Sequence, residues 1–141
     1  MSDNQIVEIE QLRREIKRLK RFEQVTWKML TVPLTSTSYD GNDTVTVGTV
    51  TIDTSAVFGV PVGVSGVMAY VRATWASANA ASNLQVKVVG GSDVLGELKA
   101  HNTNAQSMSL AIPCNSNGDF DVVVLNANAT NVVITIYGYL L

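Results

Sequence analysis

The hydrophobic pattern of this chain changes its period once, at Thr31-Val32-Pro33. Residues 5–30 contain no glycine or proline and carry apolar residues at helical spacing, whereas polar and apolar residues alternate after Pro33. A residue that precedes proline is pushed out of the helical region, so a helix is expected to end there. The 141 residues allow one core of ordinary size and a short appendage. The sequence therefore predicts a helical segment over residues 1–30 and a β domain over residues 31–141.

The helical segment has the pattern of a coiled-coil seam. Its apolar residues recur with spacings of three, four and three, at Ile9, Leu12, Ile16 and Leu19. An isolated helix of this length is marginal in water, and its narrow apolar stripe needs a partner surface. The chain's own β domain is one candidate, but identical helices from other subunits suit this spacing better. A three-residue skip continues the seam through Phe22, Val25 or Thr26, and Met29.

Residues 18–23 indicate how many helices associate. They read Arg-Leu-Lys-Arg-Phe-Glu, which resembles the short trimerisation motif of parallel coiled coils: Arg, apolar, any two residues, apolar, Glu. The resemblance implies that Arg18 and Glu23 pair between neighbouring helices and shield Leu19 and Phe22. Packing preference alone, with Ile at one seam position and Leu at the other, would favour a dimer. A homotrimer is our prediction, with a dimer as the alternative.

The β domain reads as about eight short strands joined by polar turns. The predicted strands cover residues 34–37, 44–52, 67–75, 84–89, 94–99, 107–112, 120–125 and 132–140. Gly48, which separates two alternating runs, is predicted to form a bulge. Clusters such as Gly90-Gly91-Ser92 are typical of turns between antiparallel strands. This pattern predicts a mainly β fold, an antiparallel sandwich.

The last predicted strand ends with Tyr137-Gly138-Tyr139-Leu140-Leu141. It resembles the terminal strand of trimeric tumour necrosis factor-like jelly rolls and of related heads on bacterial and phage fibres, where such a run lies near the three-fold axis. The resemblance implies a jelly-roll sandwich in which Tyr137, Gly138 and Tyr139 are buried between subunits. A coiled coil that leads into a compact jelly roll is also the plan of many phage fibre, head-fibre and receptor-binding proteins. That plan implies a virion protein, assembled in the host cytoplasm beside other virion proteins.

Charge and hydropathy exclude several partners of the β domain. Residues 34–141 contain 31 Ser, Thr and Asn but ten charged residues, a surface that either packs against protein or is solvated by hydroxyls and amides. Three bases, Arg72, Lys87 and Lys99, cannot neutralise a nucleic acid backbone. Glycine, proline or asparagine interrupts both long uncharged stretches, residues 54–71 and 122–141, which argues against membrane insertion. The polar first residues predict no signal peptide.

Chemistry-bearing residues are few. The one histidine, His101, is predicted to be an exposed loop residue, and the one cysteine, Cys114, a half-buried thiol. The acidic and amide clusters around Asp40 and Asp119 are predicted to be ordinary turns rather than calcium sites. We expect Trp27 to pack the helix against the β domain and Trp75 to fill the core between the two sheets of the sandwich. The sequence predicts no enzymatic activity, no metal site and no cofactor. The alternative function is that the β domain is a head that binds a host-surface glycan or receptor through its Asn, Ser and Thr loops.

Overall fold

The computed structural model describes residues 2–24, 26–76, 81–102 and 104–141, without the side chains of residues 20–24. Within these residues a long helix precedes nine strands and one short helix. The helices are α1 (Asp3–Gln24) and α2 (Thr54–Phe58), and a 3-10 turn spans Thr37–Tyr39. The strands are β1 (Trp27–Leu34), β2 (Asp40–Val45), β3 (Gly48–Asp53), β4 (Gly66–Trp75), β5 (Asn83–Lys87), β6 (Val94–Lys99), β7 (Gln106–Pro113), β8 (Asp119–Leu125) and β9 (Ala129–Leu140).

The strands form two antiparallel sheets that pack face to face. Sheet A has the order β1-β9-β4-β7, and β2 also pairs with β9; sheet B has the order β3-β8-β5-β6. Neighbours in each sheet are mostly distant in sequence, as in a jelly roll, because successive strands pass from one sheet to the other. The prediction of a jelly-roll-like antiparallel sandwich after an N-terminal helix is confirmed.

The core lies between the two sheets, where every second residue of the central strands points inward. Val67, Val71 and Trp75 of β4 are fully buried in sheet A, and Phe120 and Val124 of β8 are fully buried in sheet B. Alternate residues of a strand point to opposite faces, so the predicted period of two produces this inner layer directly. Trp75 fills the sandwich as predicted.

The helix ends at Gln24, not at Leu30 as predicted. Trp27 and Met29 are instead the first residues of β1, opposite Leu140 and Gly138 of β9, so Met29 is not part of a helical seam. Residues 27–34 form a strand because pairing with β9 satisfies the backbone groups on the side of β1 that faces it. The local helical pattern does not reveal this pairing. Pro33 is tolerated because β1 lies at the edge of its sheet.

Two further local predictions differ from the structure. The predicted strand over residues 34–37 is absent there, because β1 ends at Leu34 and a 3-10 turn follows at Thr37–Tyr39. Gly48 is not a bulge within one sheet but the residue at which the chain crosses from β2 in sheet A to β3 in sheet B. Its φ of 132° is one that glycine adopts readily and other residues rarely adopt.

The N-terminus of α2 is capped by Asp53, which yields a pH-dependent prediction. Its Oδ1 atom accepts the Ser55 hydroxyl at 2.8 Å and the Ser55 and Ala56 N–H groups at 3.1 Å. The Ser55 hydroxyl, and then the Ala56 N–H, hold the pKa of Asp53 below its ordinary 3.8. Replacing Asp53 by Ala is expected to lower the unfolding temperature at neutral pH, because a cap is lost.

Because the pKa is lowered by folding, the carboxylate stabilises the fold above its unfolded pKa and stops doing so as pH falls through its folded pKa. Thermal unfolding measured against pH should therefore show the deficit of Asp53→Ala shrinking below about pH 4. Asp53→Asn, which keeps an oxygen acceptor but no charge, is the matched control: it should retain part of the cap at neutral pH, and its advantage over Asp53→Ala should not change as the pH falls. Equal deficits at every pH would contradict the role of the charge.

Candidate assembly surfaces

The apolar seam of α1 is exposed along its described length. Every side chain from Ser2 to Leu19 is exposed, including the four predicted seam residues, which we call the α1 stripe: Ile9 (38%), Leu12 (63%), Ile16 (51%) and Leu19 (52%). Residues at these spacings share one face of a helix. The β-sandwich therefore does not cover the α1 stripe, and Trp27 lies in β1 rather than under the helix.

Arg18, which was predicted to shield the apolar seam, forms an ion pair within its own helix. The Arg18 Nη2 atom donates to the Glu15 Oε1 atom at 2.7 Å, and both side chains are largely exposed. An exposed pair of this spacing contributes only about 0.3–0.5 kcal/mol, so Arg18 remains free to exchange partners. The side chains of Phe22 and Glu23 lie outside the described residues, and the pairing of Arg18 with Glu23 stays a prediction.

The outward face of sheet A is the second candidate surface, and we call it the outer A face. Residues directly opposite each other on neighbouring strands share a face of the sheet. Two cross-strand rows of uncharged residues result: Trp27, Leu140, Gly66 and Pro113 in one, and Met29, Gly138, Met68 and Ala111 in the other. Met29 is 57% exposed, and Met68 and Leu140 are half-buried. An apolar surface therefore begins at β1, next to the end of α1.

The outward face of sheet B has the opposite chemistry. There Asp121 accepts the Thr51 hydroxyl at 2.6 Å, and the Gln85 amide donates to the Glu97 carboxylate at 2.9 Å. Lys99 lies 3.6 Å from Glu97. This face carries charged side chains and side-chain hydrogen bonds, whereas the two named rows of the outer A face lack both. Charge depletion is the feature that marks interface cores.

The three residues of the terminal aromatic run face different surroundings. Tyr139 is only 7% exposed and belongs to the core of its own subunit, which corrects its assignment to a subunit interface. Tyr137 is half-buried and donates its hydroxyl to the Ala69 carbonyl at 3.3 Å. An added Cβ at Gly138 would lie 3.0 Å from the Met29 Sδ atom. Residues 137–139 therefore contribute mainly to the fold of their own subunit, because β9 is a central strand of sheet A.

His101 and Cys114 have the ordinary surroundings that the sequence predicted. His101 is exposed in a tight turn, bridged to Asn104. Cys114 is half-buried, and its Sγ atom lies 3.7 Å from the Ile112 carbonyl oxygen. Burial, and to a lesser extent the nearby Asp119 carboxylate, raises the pKa of the thiol from 9.0 to about 11. Such a thiol is protonated at neutral pH, which is the opposite of an activated nucleophile.

The raised pKa of Cys114 makes its reactivity a direct measure of the native fold. At a pH below both pKa values, a rise from 9.0 to about 11 lowers the thiolate fraction about hundredfold. Alkylation by iodoacetamide is therefore expected to be at least that much slower in the native protein than in the denatured chain. Mass spectrometry of the time course measures both rates, and equal rates would mean that the thiol is not buried as described.

The two acidic and amide clusters occupy different elements. The cluster around Asp40 was predicted to be a turn but lies in β2, which pairs with β9, and there Asp40 accepts the N–H of Asn42 at 3.3 Å. The cluster before Asp119 forms a turn as predicted, and the Asn115 Oδ1 atom accepts the N–H groups of Asn117 and Asp119 at 3.0 and 2.9 Å. The Asp40 and Asn115 side chains thus satisfy backbone groups of their own segments. No group of three or more His, Cys, Asp or Glu side chains suited to a metal ion occurs in the described part of the chain.

Among the described residues, neither helix has the length and apolar character needed to span a membrane.

Comparisons with known proteins return likenesses of fold at low identity. No protein-family model and no curated protein matches the sequence. The C-terminal CBM6 of LamC, a laminarinase from Zobellia galactanivorans, has a TM-score of 0.42 at 17% identity, covering 81% of this chain and 88% of that one. The PRD1 vertex protein P5 has a TM-score of 0.42 at 18% identity, covering 77% and 71%. The Tobacco streak virus coat protein dimer has a TM-score of 0.39 at 13% identity, covering 84% of both chains. These structural neighbours thus include viral coat and vertex proteins and carbohydrate-binding modules.

Proposed function

We propose that the protein is a homotrimeric structural component of a virus particle, a head fibre, decoration or tail-associated appendage of a phage. In this function α1 sets the number of subunits and attaches the assembly to other virion proteins, and the sandwich projects from it. The observation that carries the proposal is the exposure of the α1 stripe along its whole described length. A helix that leaves four large apolar side chains in water is built to be covered by something outside its own subunit.

The free energy that would be gained by burying the α1 stripe supports self-association. Burying one Ile or Leu side chain contributes about 1.5–3 kcal/mol, so covering four per helix outweighs the marginal stability of a lone helix in water. The 3-4 spacing of the α1 stripe is the one that interlocks with a copy of itself. A trimer follows from the likeness of residues 18–23 to the trimerisation motif, and a dimer is the alternative.

The outer A face supplies a second contact between subunits in this proposal. Its two uncharged rows begin at β1, which starts at Trp27, three Cα steps after the end of α1 at Gln24. Three such steps span at most about 11 Å, so associated helices hold the β1 strands of the copies close together. Gly138 and Met68 then lie toward neighbouring subunits, whereas Tyr139 stays inside its own.

The mass of the purified full chain tests the assembly, and the composition of particles tests the role. Light scattering at micromolar concentration should give three times the mass of one chain, and a monomer would overturn the proposal. Mass spectrometry of purified particles should detect the chain in copy numbers divisible by three, and an antibody against the sandwich should label intact particles in the electron microscope. Particles that contain none of it would remove the virion role even if the trimer forms.

The rival function, a glycan- or receptor-binding head, needs aromatic side chains that are accessible to a sugar ring. The described aromatic side chains are all buried or half-buried, and Trp27 packs over Gly66, whose added Cβ would lie 3.2 Å from the indole ring. A glycan array probed with the full chain tests this alternative. Saturable binding to one glycan class would favour it over a purely structural role.

A further inference from the structure

We propose that α1 associates with the α1 of a second copy in parallel and in register, with Glu8 of one helix paired to Arg13 of the next. This inference rests on the proposed self-association; residues 18–23 already imply parallel helices, and the inference adds the charged pair that would fix that orientation and register. With Ile9 and Ile16 at heptad position a, and Leu12 and Leu19 at position d, Glu8 falls at position g and Arg13 at position e. These two positions flank the seam on opposite sides and make the interhelical salt bridges that set orientation.

Glu8 and Arg13 are available for such a pair. Both side chains are exposed, and within the described residues neither has an ion-pair partner closer than 4 Å. In a parallel, in-register pair of helices, position g of one helix faces position e of the following heptad on its neighbour, five residues further on. Glu8 and Arg13 are separated by that number. The spacing recurs one heptad later in the sequence, at Glu15 and Lys20.

The antiparallel arrangement is disfavoured by the same residues. It would bring position g beside position g and position e beside position e. Near the midpoint of the α1 stripe, Glu15 would then approach Glu15 of the other copy, and Arg13 would approach Arg13. Like charges at neighbouring helix positions are destabilising, whereas the parallel arrangement pairs opposite charges.

The heptad positions also define where a side chain of the partner would insert. Shallow depressions occur on several faces of α1, and one of them is lined by Gln5, Glu8, Ile9 and Leu12. Four residues at this spacing form the hole that receives one side chain of a facing helix, here Ile9 of the second copy. Glu8 borders that hole, so its carboxylate stands at the rim, beside the incoming helix. The parallel arrangement also places all sandwiches at one end of the bundle, which leaves the N-terminal ends together at the other.

Disulfide cross-linking of the full chain tests the orientation. In a Cys114→Ser background, Gln5→Cys places a thiol at position d near the N-terminal end, and the control Gln11→Cys places one at position c, away from the seam. In a glutathione buffer, we expect position 5 to form an interchain disulfide at least tenfold faster than position 11. Equal slow rates in a protein that light scattering shows to be oligomeric would overturn the parallel arrangement alone, whereas a monomer would overturn the proposed function itself.

Charge reversal tests the named pair. Glu8→Lys and Arg13→Glu are each expected to raise the dissociation constant about tenfold, since each sets like charges against each other at every helix contact. The double variant, Glu8→Lys with Arg13→Glu, should return the constant to within about twofold of the native value, because the pair is restored with its charges exchanged. Sedimentation equilibrium measures all four proteins. A double variant that is weaker than both single variants would overturn the pairing.

Discussion

Replacing Ile16 and Leu19 together by Asp is expected to convert the protein into a folded monomer. Both residues lie in the exposed α1 stripe, at 51% and 52% exposure, and in the proposed bundle they face the same residues of the other copies. Two carboxylates per helix would enter an apolar seam without partners, at a cost of several kcal/mol each, which exceeds what the remaining seam residues contribute. Light scattering at micromolar concentration should show the mass of one chain.

The matched control puts the same two charges elsewhere on α1. Val7 and Gln11 are exposed and lie off the α1 stripe, so Val7→Asp with Gln11→Asp should leave the oligomer intact. The sandwich should keep its unfolding temperature in both variants, because no side chain from Ser2 to Leu19 is part of the core. An oligomer that survives Ile16→Asp with Leu19→Asp would mean that the sandwiches, not the helices, hold the assembly together.

A chain shortened to residues 26–141 is expected to fold and to self-associate more weakly than the full protein. The shortening keeps β1 whole, and the buried hydrophobic residues run from Val45 to Tyr139, so the core is untouched. Met68→Glu in this shortened chain should lower the association constant more than hundredfold, because a carboxylate would enter the apolar rows of the outer A face. Sedimentation velocity over a range of concentrations measures the effect.

Met68 is a sharper probe of this face than Gly138. Any side chain at position 138 would press on Met29 of the same subunit, 3.0 Å from its added Cβ, and would disturb β1 as well as the interface. Met68 is half-buried on the neighbouring strand β4 and points outward from the sheet, between the buried Val67 and Ala69. Thr49→Glu, at an exposed position on the outward face of sheet B, is the matched control and should leave association unchanged.

Loss of association in both Met68→Glu and Thr49→Glu would indicate that net charge, rather than the outer A face, governs the contact. A shortened chain that is monomeric before any substitution would confine assembly to α1. In that case the half-buried, uncharged rows of sheet A would face solvent in the assembly, and the likeness of the terminal strand to trimeric jelly rolls would lose its support.

The sequence by itself determined the elements that depend on local chemistry. Alternation of polar and apolar residues located β3, β4, β8 and β9 to within a few residues, because a strand in a sandwich must present one face to the core. The sequence also predicted the apolar stripe of α1, because the spacing of its residues along one helix is enough to place them on one face. The ordinary character of His101 and Cys114 followed from what neighbours them in the chain.

What the tertiary structure decided is everything that depends on residues distant in sequence. Trp27 and Met29 continue a helical pattern, yet they form β1 because Leu140 and Gly138 of β9 offer backbone partners that no local rule can foresee. Tyr137 and Tyr139 are two residues apart, but an irregular register between β9 and its neighbours places Tyr139 in the core and leaves Tyr137 half-buried. The contrast between the two uncharged rows of the outer A face and the charged outward face of sheet B exists only once strands from across the chain lie side by side, because the chemistry of a sheet face is the sum of its strands.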